Sequence, residues 1–416
     1  MNQFVGFHTM TRAILAIFMI FVSSVPPARG DDDPFFLSYW AGPPIEDARY
    51  AEIREANFTV ASPGGGSSPE ANRAILDLCR KHDLKALIYD SRINGADPAA
   101  PDFAARIDAA VADYAGHPAL YGYHLIDEPG AAEFPRLAAI VARLKEKDPG
   151  RLAYINLFPN YATAGQLGNP SYEEHVDAFC KTVKPEILSY DHYALLDPAQ
   201  PPRPEVFPNL DVVRRKGLEY GIPFCAVVLS TPHGPYRNPS EADLRWQAWT
   251  ALAYGAKGIS WFTYWTPKSQ EWNFHNGILD ETGKRTEHYE QVKRLHGAIR
   301  AMGPTLRTLT STAVYAAGTK LPGVEPWPEA GAAPVARVEG GPFLVGFFVD
   351  YAGTAHATIV NVDFRAPATA KLTLSDKPRG LRAERFDPAT SAWTPWPEGG
   401  VPIAPGDGVL LRISAP

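Results

Sequence analysis

Cysteine is scarce in this chain, with three residues among 416, so the cysteines cannot all pair with one another. Cys79, Cys180 and Cys225 each lie within an apolar pattern, at a position that suits a small buried hydrophobic side chain. We therefore expect free thiols in the core rather than a disulfide framework. One disulfide with a spare thiol is the alternative.

Clustered histidines and a basic stripe are also missing. The eleven histidines show no HxH or HExxH spacing, and His192 alone cannot build the histidine cluster that a metal-dependent hydrolase needs, so we expect no metal and no cofactor. The net charge is −6 with acids and bases interspersed, which argues against nucleic acid as a partner.

Long apolar runs are absent apart from one near the N-terminus. Arg12 precedes the run AILAIFMIFVSSV, and Ala28 and Gly30 stand where a signal peptidase prefers small residues. This run is short for a membrane span, so we predict a signal peptide over residues 1–30 and a secreted or periplasmic protein with no membrane segment after its removal. A buried N-terminal helix is the alternative.

The sequence does contain eight short apolar runs that alternate with amphipathic segments. In one such segment Phe103, Ile107 and Val111 recur at helical spacing. Buried strands alternating with helices predict a parallel sheet, and eight units match an α/β fold of the (β/α)8 TIM barrel type over residues 31–304. A doubly wound sheet is disfavoured because no glycine-rich phosphate turn follows the first run. The runs span residues 35–40, 57–63, 84–90, 120–129, 151–159, 186–195, 222–230 and 258–265.

The character of the chain changes after about residue 305. Helical periodicity gives way to short alternating runs, such as PFLVGFFVD and HATIVNVDF, separated by Gly, Pro and Asp. These runs predict a small antiparallel β-sandwich over residues 305–416. We interpret it as a structural cap on the barrel, with carbohydrate binding as the alternative.

Polar residues crowd the C-terminal ends of the predicted strands, which is where a (β/α)8 barrel carries its chemistry. The fourth run ends in two adjacent acids, Asp127 and Glu128, before Pro129, and the sixth ends in SYDHY, which contains Asp191. The alternative role for Asp127 or Glu128 is to cap the helix that starts near Ala131.

The stretch LIDEP at the end of the fourth run resembles the acid/base signature of clan A glycoside hydrolases, which usually read Asn-Glu-Pro there. The stretch LRWQAWTALAYGAKGISWFTYW is similar to the eighth-strand region of their β-galactosidase-like members. This resemblance implies an oligosaccharide or polysaccharide substrate, with Glu128 as the general acid and Asp127 in place of the usual Asn. Such a carboxylate can accept but not donate a hydrogen bond, and its charge helps to keep Glu128 protonated.

The resemblance breaks at the seventh run, where clan A enzymes carry a nucleophilic Glu. Leu229, Ser230 and Thr231 occupy that place in this chain. We predict that Asp191 supplies the second catalytic carboxylate, as nucleophile or base. Glu271 in the loop after the eighth run is a second candidate, and a structural role for Asp191 is a third interpretation. Substrate-assisted cleavage supported by Asp127 also stays open.

The remaining rim residues suit a sugar subsite, with rings for the apolar face of a pyranose and polar groups for its hydroxyls. For a single ring, packing in the barrel is the alternative. We therefore predict a secreted glycoside hydrolase, and the second hypothesis is a degenerate barrel that binds carbohydrate without cleaving it. The expected substrate-binding residues are Tyr39, Trp40, Asp90, Arg92, Asn156, His192, Tyr193, His233, Trp261, Tyr264, Trp265 and Glu271.

Overall fold

A computed structural model describes residues 33–62, 68–197, 200–269, 271–376 and 378–415. The predicted signal peptide over residues 1–30 lies outside the described residues. Within these ranges no helix is both long enough and apolar enough to cross a bilayer.

Eight parallel strands form a nearly closed barrel, which confirms the predicted (β/α)8 fold. Their order in the sheet is β1-β8-β7-β6-β5-β4-β3-β2, so each strand lies beside its neighbours in sequence. The strands are β1 (Phe36–Tyr39), β2 (Val60–Ala61), β3 (Lys85–Ile88), β4 (Leu120–Asp127), β5 (Leu152–Leu157), β6 (Leu188–Asp191), β7 (Phe224–Leu229) and β8 (Gly258–Phe262).

Helices surround this barrel and begin at residues that favour helix starts. Pro69 occupies the first turn of the second helix, and Ser240 forms a capping box with Asp243 at the start of the ninth. The helices are α1 (Asp47–Glu55), α2 (Pro69–Lys81), α3 (Ser91–Asn94), α4 (Phe103–Tyr114), α5 (Phe134–Lys147), α6 (Ala164–Leu167), α7 (Tyr172–Val183), α8 (Val206–Tyr220), α9 (Glu241–Tyr254) and α10 (Glu287–Thr308).

Thr59 closes the seam between the first and second strands. Its backbone N–H donates to the carbonyl of Leu37 at 3.0 Å. Its hydroxyl accepts from the N–H of Leu37 at 2.9 Å and donates to the carbonyl of Phe35 at 2.7 Å. One threonine thus satisfies backbone groups that a regular strand pair would bond, which explains why the two-residue strand β2 is sufficient there.

Successive residues of each strand face opposite sides of the barrel wall. Phe36, Leu152 and Tyr154 belong to the apolar cluster in the barrel interior, against which Trp40 packs. Leu37 instead joins the larger cluster between the strands and the helices. This alternation decides which side chains can reach the mouth of the barrel.

The second part of the chain contains a seven-stranded and a three-stranded sheet, consistent with the expected β-sandwich. Side chains of both sheets share one core, including Val345 and Val401. The predicted boundary at residue 304 falls inside α10, which continues through Pro304 to Thr308. The strands are β9 (Thr310–Ala317), β10 (Glu325–Pro326), β11 (Val335–Glu339), β12 (Phe343–Val349), β13 (Ala355–Asn361), β14 (Ala368–Leu374), β15 (Arg382–Asp387), β16 (Ala392–Pro395), β17 (Val401–Ile403) and β18 (Gly408–Ser414).

Helix α9 joins the two parts because it is buried on nearly all sides, between the barrel strands and the sandwich. Glycines of the sandwich allow its close approach. A Cβ atom on Gly346 of β12 would lie 2.0 Å from the carbonyl oxygen of Ala253 in the helix. The three cysteines are buried and unpaired.

We predict that Gly346→Ala lowers the free energy of unfolding by about 1–3 kcal/mol, because the added methyl overlaps the backbone of α9 and forces the sandwich away from the barrel. Urea unfolding followed by circular dichroism measures this. The matched control is Gly399→Ala, where an added Cβ meets open space and the change should stay within about 0.5 kcal/mol. Equal stability of the two variants would contradict the proposed docking contact.

Candidate active site

Three carboxylates meet at the C-terminal mouth of the barrel. Asp127 is the last residue of β4, Glu128 follows it, and Asp191 is the last residue of β6. Strand β5 lies between these two strands and places Asn156 beside Asp127 in the sheet register. Parallel strands carry their ends to the same edge, so residues distant in sequence come into contact there.

The amide of Asn156 bridges two of the acids. Its Nδ2 donates to Oδ1 of Asp191 at 2.9 Å and to Oδ1 of Asp127 at 3.1 Å. Its Oδ1 accepts from the hydroxyl of Ser189 at 2.9 Å, and that hydroxyl is bonded to Tyr154 at 2.7 Å. Because Ser189 occupies the oxygen side, the amide must turn its donors toward the carboxylates.

Glu128 has an unusual backbone conformation. Its φ is +45°, in the left-handed region that side chains other than Gly seldom adopt, and it precedes Pro129, which further restricts its backbone. Its N–H donates to the carbonyl of Asn156 at 2.8 Å, which fixes this turn at the strand end. Strained backbone of this kind is concentrated at functional sites.

Neither acid caps the following helix. The helical turn after Pro129 begins at Ala131, and its cap position is held by Gly130, which makes no side-chain cap hydrogen bond. The capping role considered for Asp127 and Glu128 is therefore not the arrangement in this structure.

The carboxyl groups of Glu128 and Asp191 lie near enough that the charge of Glu128 raises the pKa of Asp191. Glu128 is half-buried, and its burial and the charge of Asp127 raise its pKa to about 7. Asp191 is 5% exposed, and burial followed by the charges of Glu128 and Asp127 raises its pKa well above the ordinary range. The pair therefore retains a proton at pH values where single carboxyls are ionised.

Asp127 and Tyr193 complete the surroundings of the pair. Asp127 reaches solvent at the mouth, yet the protein walls around it still raise its pKa, against the opposing hydrogen bond from Asn156. Burial and the nearby charges of all three acids raise the pKa of the Tyr193 hydroxyl, which keeps it a neutral donor. The site thus offers a retained proton, a solvent-facing carboxylate and a phenol.

Some of the other predicted residues also line the barrel mouth. Trp40 packs at the top of the interior, with its ring 4.9 Å from that of His124. His233 lies 5.9 Å from the ring of Tyr193, and its Nδ1 donates to the carbonyl of Thr231 at 2.8 Å. Burial lowers the pKa of His233, so its imidazole is neutral.

Four predicted aromatic residues lie away from the mouth. Tyr39 and Tyr264 pack against each other in the helix-facing core, at 1% and 0% exposure. Trp261 is also fully buried and donates its indole N–H to His296 of α10 at 2.7 Å. Trp265 is covered by the guanidinium of Arg49. Strand alternation turns Tyr39 and Trp261 outward, and Tyr264 and Trp265 lie beyond the end of β8. The structure does not bring these four rings to a sugar subsite.

Two predicted polar residues are engaged with each other rather than with the cleft. Arg92 donates to both carboxylate oxygens of Asp90, which is 1% exposed and caps α3.

His192 is 5% exposed with its ring against Tyr161, and neither ring nitrogen has a hydrogen-bond partner within the described residues. Glu271 is exposed in the loop after β8.

The end of β7 carries no carboxylate in the described part of the chain. Ser230 and Thr231 are buried there, and both hydroxyls donate to the carbonyl of Thr263 after β8, at 3.1 and 3.3 Å. They therefore tie two strand ends together. Among the described residues no group of three His, Cys, Asp or Glu side chains could hold a metal ion.

Sequence reasoning missed several residues that the structure brings to the site. Ser189 and Tyr154 orient Asn156, and Phe262 lies against Tyr193 at 5.3 Å. A signal was present, because Tyr154 precedes Asn156 by two positions and Ser189 precedes Asp191 by two. Residues two apart on a strand share a face.

Comparison with known proteins gives one family match. Residues 155–302 match the model of glycoside hydrolase family 42, described as β-galactosidase. The match runs from β5 into α10, so it contains Asp191 and the end of β7 but begins after Asp127 and Glu128. A search of curated proteins returned no match.

Solved structures share the architecture at low sequence identity. The β-galactosidase from Bacillus circulans sp. alkalophilus gives a TM-score of 0.62 at 10% identity, over 93% of this chain and 100% of that one. A family 5 glycoside hydrolase from Bacteroides vulgatus ATCC 8482 gives 0.56 at 11%, over 92% and 89%. The β-galactosidase from Rahnella sp. R3 gives 0.53 at 13%, over 70% of this chain, which spans 59% of that enzyme's length.

These likenesses show the fold, and the family model matches the segment from β5 into α10. The eight-stranded parallel barrel is the fold that the LIDEP resemblance implied.

We predict that Glu128→Gln stabilises the protein at pH 8 by about 1–3 kcal/mol while leaving its stability at pH 4 nearly unchanged. The folded state raises the pKa of Glu128 from 4.5 to about 7, so this group's contribution is fully present below about pH 4.5 and is lost as the pH rises through about 7. The neutral amide does not suffer that loss.

Urea unfolding at pH 4, 6 and 8 measures the difference between wild type and variant. Asp102→Asn, which changes an exposed acid before α4, serves as the control and should track the wild type at each pH. A Glu128→Gln variant that is no more stable than wild type at pH 8 would contradict the shifted pKa.

Proposed function

We propose that this protein hydrolyses glycosidic bonds, with Glu128 as the proton donor. The observation that carries this proposal is the meeting of Asp127, Glu128 and Asp191 at the C-terminal mouth of the barrel, where Asn156 bridges two of the acids. Cleavage of a glycoside needs a proton on the leaving oxygen and a second carboxylate on the other side of the sugar.

Glu128 suits the donor role because its pKa lies near neutral pH. A general acid works best when its pKa is close to the working pH, since it must hold a proton and also release it. Its position beyond the end of β4, at a strained turn facing the mouth, presents the carboxyl group to an incoming oxygen.

We propose Asp191 as the second carboxylate. Asp191 ends β6 and Glu128 follows β4, so the two carboxyls lie on either side of β5 at the same rim. Retaining pairs are roughly 5 to 5.5 Å apart and inverting pairs roughly 6.5 to 9.5 Å. Nδ2 of Asn156 donates to Oδ1 of Asp191 at 2.9 Å. This hydrogen bond favours the carboxylate form of Asp191, which the role of nucleophile or base requires.

Asp127 and Tyr193 take positioning roles in this proposal. Asp127 is exposed at the mouth and accepts from Asn156, so its remaining lone pairs can accept from a sugar hydroxyl. The neutral phenol of Tyr193 can donate to a sugar oxygen near the acids. Trp40 and His233 supply further contact surface at the mouth.

The match to a β-galactosidase family model makes galactosides the first substrates to test. We also propose that the protein is exported, which the apolar run and the small residues before residue 30 support.

We predict that the mature chain hydrolyses at least one member of a panel of aryl glycosides and oligosaccharides, and that Glu128→Gln lowers its kcat/KM by at least about 100-fold because the proton donor is gone. Asp191→Asn should lower it by a similar factor. Azide added to Asp191→Ala should restore turnover as a glycosyl azide if Asp191 is the nucleophile or base. Steady-state kinetics and product analysis measure these effects.

Asp102→Asn is the matched control and should keep wild-type kinetics. Full activity in Glu128→Gln would overturn the assignment of the donor. Loss of activity in Glu271→Gln with activity kept in Asp191→Asn would move the second carboxylate to the loop after β8. Sugar binding by the wild type without any turnover would support a carbohydrate-binding protein instead.

A further inference from the structure

We infer that the mouth of the barrel carries a second sugar-binding subsite, built on an aromatic run that leads from the acids to an exposed tryptophan. The aromatic run consists of Tyr193, Phe262, His233, Phe274 and Trp272. Its ligand is a further pyranose ring of the saccharide whose bond is cut at Glu128. This inference rests on the proposed function and adds the substrate class, an oligosaccharide rather than a single glycoside.

The aromatic run is continuous. The ring centroids of Tyr193 and Phe262 are 5.3 Å apart, and those of Phe262 and His233 are also 5.3 Å apart. His233 then contacts Phe274 at 4.7 Å and Trp272 at 6.2 Å. Tyr193 follows Asp191, the last residue of β6, by two positions, so the aromatic run begins beside the acids, and it ends at the exposed Trp272.

Trp272 is exposed although it is held in place. It is 47% exposed, one of few large hydrophobic side chains at the surface within the described residues. Its carbonyl accepts from the N–H of Gly234 at 2.9 Å, and a Cβ on Gly234, which has a φ of +50°, would lie 3.4 Å from the indole. The indole therefore has Gly234 against it and the ring of His233 nearby, while almost half of it faces solvent.

The surroundings of Trp272 select a sugar over an apolar partner. Asn273 and His275 are exposed beside it, and Tyr236 is half-buried on the other side of His233. A single indole flanked by hydrogen-bonding groups does not form the broad apolar patch of a protein interface. It matches a pyranose, which presents an apolar face of CH groups and a rim of hydroxyls.

We predict that Trp272→Ala lowers kcat/KM by about tenfold on the oligosaccharide that the wild type cleaves best, because the indole face no longer covers the second ring. The glycosyl fluoride of the same reacting sugar has no second ring, so its kcat/KM should change by less than about twofold. Trp272→Phe should recover most of the loss. Tyr351→Ala, which removes a similarly exposed ring from the sandwich, is the control and should not differ from wild type.

An equal fall on both substrates, or no fall on either, would overturn the subsite while leaving the hydrolase proposal intact. If the wild type cleaves nothing, calorimetric titration with the same oligosaccharides tests the subsite alone. Binding that Trp272→Ala weakens by about tenfold supports it, and equal or absent binding overturns it.

Discussion

The contact between the carboxyl groups of Glu128 and Asp191 is the interaction on which the account of this site depends. Burial favours the neutral form of both groups and the charge of Glu128 raises the pKa of Asp191, so the pair retains a proton where single carboxyls are ionised. The fold brings the two groups to the same rim, because β4 and β6 end on either side of β5. Asn156 between them donates to Asp191 and to Asp127, which offsets part of the repulsion without adding a positive charge.

The rest of the mouth is consistent with this concentration of acids. No carboxylate stands at the end of β7 in the described chain, and the hydroxyls of Ser230 and Thr231 hold that end to Thr263 instead. A further acid there would face three others across the barrel. The acids that meet at the mouth thus come from the ends of β4 and β6, while the ends of β7 and β8 supply neutral and aromatic side chains.

The architecture could be predicted from the sequence because the alternation of strand and helix patterns repeats eight times. Eight such units favour a barrel over other parallel folds. The sequence also located the acids, since residues at the ends of parallel strands must share one rim. It failed on faces: Tyr39 and Trp261 point into the helix layer, whereas Trp40 and Phe262, one position away, point inward. Continuous apolar strands are hydrophobic on both sides, so hydrophobicity alone does not distinguish the two faces. Asp90 is the N-cap of α3 and pairs with Arg92 two residues later, which is a local signal that the prediction of two cleft residues overlooked.

The measurement that tests the central claim most directly is a carbon-13 NMR titration of the Asp and Glu side-chain carboxyls in the mature chain. One carboxyl resonance is expected to titrate near pH 7, to disappear in Glu128→Gln, and to shift toward ordinary values in Asp127→Asn, which removes a charge that raises the pKa of Glu128. Titration of every carboxyl below about pH 5.5 would contradict the account, because Glu128 and Asp191 would then be ionised together and no proton would be held for the leaving oxygen.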